Sequence, residues 1–221
     1  KYSLVLLSLT CLMYLFMTSA HKSVFLGVIL LITFYKMNSY TKIVNTIILA
    51  LLAIWTIFWF LPPDSPWRIF IVGLTLYRTL FVPMEAGVHY FDFFDGKHTY
   101  WGQSPFNPFV EYAYEYKPAR LIGLEYYGSS DMAANTGIVA DGFMNMGYFG
   151  IVINVFIFSM AIGIIGRLNP DKRYFGALFI FITAIQNSGM LTVLLTHGLL
   201  LAILVFYVFN LSEYNKLERN H

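Results

Sequence analysis

The chain of 221 residues is 58% hydrophobic, 19% aromatic and only 12% charged. Soluble domains carry about 25% charged residues, so this composition excludes a cytosolic enzyme, a disulfide scaffold and a disordered chain. Its 14 basic and 12 acidic residues leave a net charge of +2, which predicts no nucleic-acid partner. The composition predicts an all-α polytopic membrane protein.

Residues 1–83 are predicted to form transmembrane helices and one partial helix. Runs of about 20 apolar residues can cross a bilayer, and residues 2–20 and 43–61 meet that length. Residues 23–35 are shorter, but the lysines at both ends can snorkel to the interface. Residues 69–82 are short, contain Arg78 and stop at Pro83, so they form a partial or re-entrant helix or a tilted span. About six spans and one partial element are expected in the whole chain.

The start of the sequence predicts that the chain is the later part of a longer protein. Its first residue is Lys1, and an apolar run begins at the next residue. A signal peptide over residues 1–20 is the alternative, since the run ends in small residues that suit a cleavage site.

Residues 84–136 are predicted to be a long extracytoplasmic loop, rich in aromatic residues. Residues 137–210 follow with three spans, at 138–166, 174–190 and 192–209, and residues 211–221 form a cytoplasmic tail. The loop holds three basic against seven acidic residues, whereas the short connections and the tail are basic. If residues 69–82 do not fully cross, this bias places the loop outside, because basic connections stay in the cytoplasm. If they do cross, the two sides disagree with the rule.

Arg78 is the first candidate for chemistry. A charged side chain in an apolar segment is costly and usually faces a polar cavity or a partner. Its guanidinium could bind a phosphate through two hydrogen bonds, or it could snorkel to the nearby interface.

A second candidate group surrounds Asp92. His89, Asp92, Asp95 and His98 recur at every third position. On a helix these steps fan the side chains around the axis, so no metal site is predicted. Asp92 or Asp95 could take a proton from a sugar hydroxyl as a general base, or could be a solvated loop charge.

A third group lies between Glu111 and Arg120. Tyr112, Tyr114 and Tyr116 alternate with other residues, which predicts an extended strand with its rings on one face. Such rings could stack on sugars or form an interfacial belt. Arg120 could bind a diphosphate or pair with a nearby glutamate.

The fourth group begins at Asn135 and continues through Asp141 and Asn145. The last two lie four residues apart, hence on one helical face, which Gly147, Gly150 and Asn154 extend. Close helix packing explains this stripe, and an anionic headgroup at the start of the helix is the alternative. Farther along, the polar residues Thr196 and His197 interrupt an apolar run. Local hydrogen bonding would explain both residues, and a functional role for His197 is the alternative.

Together these residues resemble those of the Wzy-type oligosaccharide repeat-unit (O-antigen) polymerases. The resemblance runs over about residues 68–209 and is carried by five motifs. They are Arg78 with Pro83, Tyr90-Phe91-Asp92-Phe93-Phe94, Ala134-Asn135-Thr136-Gly137, Asp141-Gly142 with Asn145 and Gly147-x-x-Gly150, and Leu194-Leu195-Thr196-His197-Gly198-Leu199. Members of that family usually have ten or more spans, so the likeness is to their carboxy-terminal half.

The resemblance implies a membrane glycosyltransferase of the bacterial inner membrane. It would polymerise undecaprenyl-diphosphate-linked repeat units at the outer face, with the lipid-linked oligosaccharide and membrane lipid as partners. A chain-length regulator or the missing amino-terminal segment would be a further partner, and neither a cofactor nor a metal is implied. A flippase or transporter, an O-antigen ligase and a non-catalytic subunit of an assembly complex are the alternatives.

The implied reaction assigns roles to residues. Asp92 and Asp141 are candidates for the base, and Arg78 and Arg120 for the diphosphate. The remaining candidates contact sugar, as stacking rings or as amides that orient hydroxyls: Tyr90, Tyr112, Tyr114, Asn135 and Asn145.

Overall fold

The computed structural model describes residues 10, 32–33, 37, 39–73, 77, 81–104, 109–170 and 175–218. Over these residues the chain consists of helices and loops without a β-strand, as the predicted class requires. The predicted spans 2–20 and 23–35 lie almost wholly outside the described residues. Arg78 lies outside them as well.

Seven α-helices and one π-helical turn are described. In chain order they are α1 Tyr40–Phe60, α2 Pro66–Val72, α3 Val82–Phe93, α4 Pro118–Tyr127, α5 Ile138–Leu168, α6 Phe175–Asn187, the π turn Thr192–Thr196 and α7 Leu199–Glu218. Proline occupies one of the first two positions of α2, α3 and α4, where its missing N–H costs no hydrogen bond. Gly128, with φ of 69°, ends α4 in the left-handed conformation.

Two helices in the described part of the chain are long and apolar enough to cross a membrane. They are Thr41–Phe60, within α1, and Ile138–Leu168, which is α5. Large apolar side chains on both helices are exposed in the isolated chain, including Leu49 at 65% and Phe60 at 85% on α1 and Tyr148 at 76% on α5. An apolar surface of this extent requires a cover of lipid or of protein.

The long helix α5 is broken near its first third. Met146 (φ −148°, ψ 30°) and Gly147 (φ 60°, ψ −146°) leave the helical conformation. Beyond the break, Asn154 Nδ2 donates to Ile138 O at 2.9 Å. A Cβ atom on Gly142 would lie 2.6 Å from Gly150 O, so the two backbones are in contact. Because both pairs are centred on residue 146, residues 138–145 and 148–168 form the two arms of an antiparallel helical hairpin.

The hairpin differs from the predicted single span over residues 138–166. The second arm has roughly 20 residues and a length of about 30 Å, which matches the hydrocarbon core. The first arm covers only about 12 Å and folds back along its partner. Only the second arm therefore has the length to span.

Other elements also differ from the predictions. The predicted strand at residues 111–116 is not formed, although its tyrosines are half-buried and the residues between them exposed, as the alternation predicted. The predicted continuous span 192–209 is interrupted at Gly198, where φ is 81°. Helix α7 continues through most of the predicted tail to Glu218.

The chain divides into two compact units, residues 1–55 with 170–182 and residues 56–169 with 183–221. In the first unit Ile43 is fully buried. In the second unit, a hydrophobic core joins α3, α4 and the first arm of α5. Its buried members are Ala86, Tyr90, Phe94, Ile122, Ala134, Ala140 and Met144. The site described below lies wholly within this second unit.

The contact between the two arms makes a prediction for Gly150. A Cβ atom there would collide with the backbone of Gly142, which cannot move aside as a side chain can. We expect Gly150→Ala to destabilise the purified protein by about 1–3 kcal/mol, as overpacking does. Thermal unfolding in detergent measures the change.

The matched control is Gly163→Ala on the second arm, where an added Cβ meets no atom within 4 Å. Alanine is the better helix former, so this variant should be neutral or up to about 1 kcal/mol more stable. Equal stabilities for the two variants would contradict the hairpin contact.

Candidate functional site

The candidate site is a cavity of about 400 Å³ in the second unit. Helix α3, the segment before α4, the first arm of α5 and residues 187–197 form its walls. Polar side chains line much of it: Tyr90, Gln103, Lys117, Asn135, Thr136, Asp141, Asn187, Ser188, Thr192 and His197. Three of the predicted site residues, Tyr90, Asn135 and Asp141, are thus brought together.

Asp141 is held by the hairpin and by the chain beyond α6. Its Oδ2 accepts from Asn154 Nδ2 at 3.0 Å and from Met190 N at 3.1 Å. Among the described residues, no donor is bonded to Oδ1. Both hydrogen bonds therefore fix the carboxylate of this cavity-lining residue through one oxygen, Oδ2.

The backbone at Gly189 packs directly against this carboxylate. A Cβ atom on Gly189 would lie 2.5 Å from Asp141 Oδ1. Any larger residue at this position would displace the carboxylate, so the segment 188–190 and Asp141 form one connected unit.

Tyr90 is buried beside the same cavity, with an exposed fraction of 3%. Burial raises the pKa of its phenol, and the neighbouring Asp141 charge raises it further. Tyr90 therefore keeps its proton at neutral pH and can act as a hydrogen-bond donor.

Asn145 has a different environment from the one predicted. Its side chain is 0% exposed, and its Nδ2 donates to Asp141 O at 2.8 Å. Its Oδ1 accepts from Thr99 Oγ1 at 2.8 Å and from Trp101 N at 2.7 Å. Because both ends of the amide are engaged, Asn145 fastens the loop 99–104 to the first arm and does not face the cavity.

Asp92 lies outside the cavity and is exposed. It accepts from the Tyr126 hydroxyl at 2.6 Å. Desolvation and this hydrogen bond raise the pKa of Tyr126 to about 12. His89 stacks on the Tyr126 ring with a centroid distance of 4.1 Å. Through these contacts, Asp92 and His89 of α3 pack against Tyr126 of α4 at the protein surface.

The two other predicted tyrosines do not line the cavity either. The Tyr112 hydroxyl donates to Tyr116 O at 2.8 Å, and the Tyr114 hydroxyl donates to Lys97 O at 3.3 Å. Their rings meet edge to face at 5.4 Å, so they hold the loop together through contacts with each other.

Arg120 lines a second depression of about 330 Å³ with Glu115, Tyr116 and Lys117. Lys117 lines this depression as well as the main cavity. Among the described residues, neither Lys117 nor Arg120 forms an ion pair with a carboxylate. Lys117 can therefore meet an anion at the cavity, and Arg120 can meet one in the second depression that Lys117 also lines.

Lys117 and Ser188 are cavity residues that the sequence did not assign to the site, and His197, expected either to bond locally or to be a functional histidine, lines the cavity as well. Ser188 Oγ lies 2.9 Å from His197 Nε2. The polarity of His197 within an apolar run is a signal in the sequence, but its partner lies across the turn that follows α6. Within the described ranges, no group of three or more His, Cys, Asp or Glu side chains is placed to hold a metal ion.

Comparisons with known proteins found no match among family models, curated proteins or solved structures.

Asn145→Ala tests how the loop 99–104 is fastened. The substitution leaves the buried Thr99 hydroxyl and the Trp101 amide without their acceptor, at a cost of about 1–3 kcal/mol. We expect the amides of residues 99–104 to exchange with deuterium roughly ten- to a hundredfold faster.

Asn210→Ala is the control, because the exposed side chain of Asn210 donates to Leu168 O at 3.2 Å and, among the described residues, makes no contact with the loop 99–104. It should leave the exchange of the loop unchanged. Unchanged loop exchange in Asn145→Ala as well would show that other contacts hold the loop.

Proposed function

We propose that this chain belongs to a multi-pass membrane glycosyltransferase that polymerises lipid-linked oligosaccharide repeat units at the outer face of the bacterial inner membrane. The observation that carries the proposal is a polar cavity with a fixed carboxylate, in a chain whose helices expose apolar side chains. The motif resemblance to Wzy-type polymerases includes the same Asn135 and Asp141.

The membrane placement draws on length and charge. Helix α1 and the second arm of α5 have the length of a span, and the proposal assigns about six spans to the chain. The basic short connections lie in the cytoplasm and the acidic segment 84–136 outside. The cavity then opens toward the side where the lipid-linked glycan is displayed.

In the proposed reaction, Asp141 is the general base. The acceptor sugar hydroxyl loses its proton to Asp141 Oδ1, and its oxygen forms a bond to the anomeric carbon of the donor. The bond from that carbon to the diphosphate oxygen breaks, and its electron pair leaves with the diphosphate. A diphosphate is a good leaving group, so the site needs cations rather than a general acid.

Lys117 and Arg120 are the proposed cations for the departing diphosphate. Among the described residues neither has an ion-pair partner; Lys117 lines the cavity, and Arg120 lines the second depression that also contains Lys117. Asn135 and Tyr90 supply hydrogen bonds to sugar hydroxyls within the cavity. For Arg78 the phosphate role stays a prediction.

Deletion of the gene distinguishes polymerisation from the alternatives. A polymerase predicts loss of the long polysaccharide ladder on a gel with single repeat units retained at the surface. Loss of all surface glycan would instead indicate a flippase or a ligase. An unchanged ladder would contradict all three functions.

Asp141→Asn tests the base in the deletion strain. Both hydrogen bonds to Asp141 reach the same oxygen, so an asparagine oxygen in that place keeps the fold while the second basic oxygen is lost. We expect the rate of polymerisation to fall by about 10²–10⁴-fold, and the ladder to collapse to single repeat units.

The control is Asp131→Asn, the same chemical change at an exposed loop position. It should keep the ladder of the unmodified protein. A full ladder in Asp141→Asn, at equal protein abundance, would show that Asp141 serves the hairpin and not the reaction.

A further inference from the structure

We infer that Ser188, positioned by His197, binds the acceptor sugar next to Asp141. This inference rests on the proposed function and assigns the acceptor subsite within the same cavity. Its first observation is the pair itself: Ser188 Oγ lies 2.9 Å from His197 Nε2, and both residues line the cavity.

The proposed roles assign the ring proton of His197 to Nδ1, so that Nε2 accepts from the Ser188 hydroxyl at 2.9 Å. With this assignment, Ser188 is a hydrogen-bond acceptor toward the ligand. The lone pairs of Oγ then stay available to a hydroxyl of the ligand. Without His197 the hydroxyl would rotate and would lose this defined role.

The position of Ser188 selects the acceptor sugar rather than the donor. Met190 N donates to Asp141 Oδ2 at 3.1 Å, and the Gly189 backbone lies against Oδ1. Ser188 therefore lies two positions before the residue whose N–H holds Asp141, the proposed base for the attacking hydroxyl. In this acceptor subsite, a second hydroxyl of that same sugar bonds to Ser188 Oγ.

His197 acts through Ser188 and is a positioning residue. The π turn ends at Thr196, and Gly198, with φ of 81°, separates His197 from the start of α7. This interruption accounts for a histidine within an apolar run. In a continuous helix, the side chain would lie among the leucines around it.

The test uses an acceptor that cannot act as a donor. Repeat-unit oligosaccharide from the deletion strain is released from its lipid by mild acid and labelled at its reducing end. Full-length protein in liposomes receives this oligosaccharide together with the lipid-linked units of the same strain. Because the free oligosaccharide has no diphosphate, its incorporation reports on the acceptor subsite alone.

Loss of one neutral hydrogen bond should weaken acceptor binding. We expect Ser188→Ala and His197→Ala each to raise the KM for the free oligosaccharide about three- to tenfold, with kcat within about twofold. The double variant should match either single variant, because both remove the same interaction. Ser188→Thr keeps the hydroxyl and should restore the KM.

Ser130→Ala is the matched control, since Ser130 lies outside the cavity. An unfolded variant would lose kcat, which separates folding defects from the expected result. A KM unchanged in Ser188→Ala while the unmodified protein lengthens glycans would overturn this inference alone. Unmodified protein that fails to lengthen lipid-linked units would overturn the proposed function and the acceptor subsite with it.

Discussion

The backbone contact between Gly142 and Gly150 is the constraint on which the site depends. It brings the two arms of α5 together across the break at Met146 and Gly147. Only glycine allows helices to approach this closely, and Gly147 has a φ of 60° that favours glycine. The hairpin places Asn154 beside Asp141, although thirteen positions separate them in sequence.

Two buried amides convert this hairpin into a site. Asn154 holds Asp141 from within the hairpin, and Met190 N holds the same carboxylate from beyond α6. Asn145 fastens the loop that follows α3 to the same arm. Segments remote in sequence thus meet at Asp141. The cavity is polar because Ser188, His197, Lys117 and Asn135 line it together with Asp141.

The sequence predicted an all-helical chain with apolar helices long enough to span a membrane, because composition and the length of apolar runs depend directly on whether lipid or water surrounds the chain. It also placed Asp141, Asn145, Gly147, Gly150 and Asn154 in one group, and the structure joins them. It described that group as one helical face, since periodicity assumes a continuous helix and cannot reveal a hairpin. The pairing of Ser188 with His197 was not predictable either, because it depends on a turn and an interrupted helix.

Spacing also misplaced several candidates. Asp92, Tyr112 and Tyr114 have the chemistry that sugar binding requires, yet tyrosine hydroxyls within the loop bond to other groups of the loop itself. Local sequence cannot distinguish a ring that binds a ligand from a ring that closes a loop. Lys117 was not predicted as a site residue, because a lysine before a proline carries no special pattern; the fold brings it to the cavity.

A cross-linking measurement tests the hairpin most directly. Asp141→Cys and Asn154→Cys are combined in a chain whose single native cysteine is replaced by Cys11→Ser, and the solubilised protein is treated with a short bifunctional methanethiosulfonate. In the hairpin, Asp141 Oδ2 and Asn154 Nδ2 lie 3.0 Å apart. We therefore expect one reagent molecule to bridge the two thiols, which mass spectrometry detects as a single cross-link. The pair Phe149→Cys and Ile162→Cys, equally spaced within the second arm, should not be bridged. In an unbroken helix residues 141 and 154 would be about 20 Å apart, and two separate adducts there would contradict the hairpin.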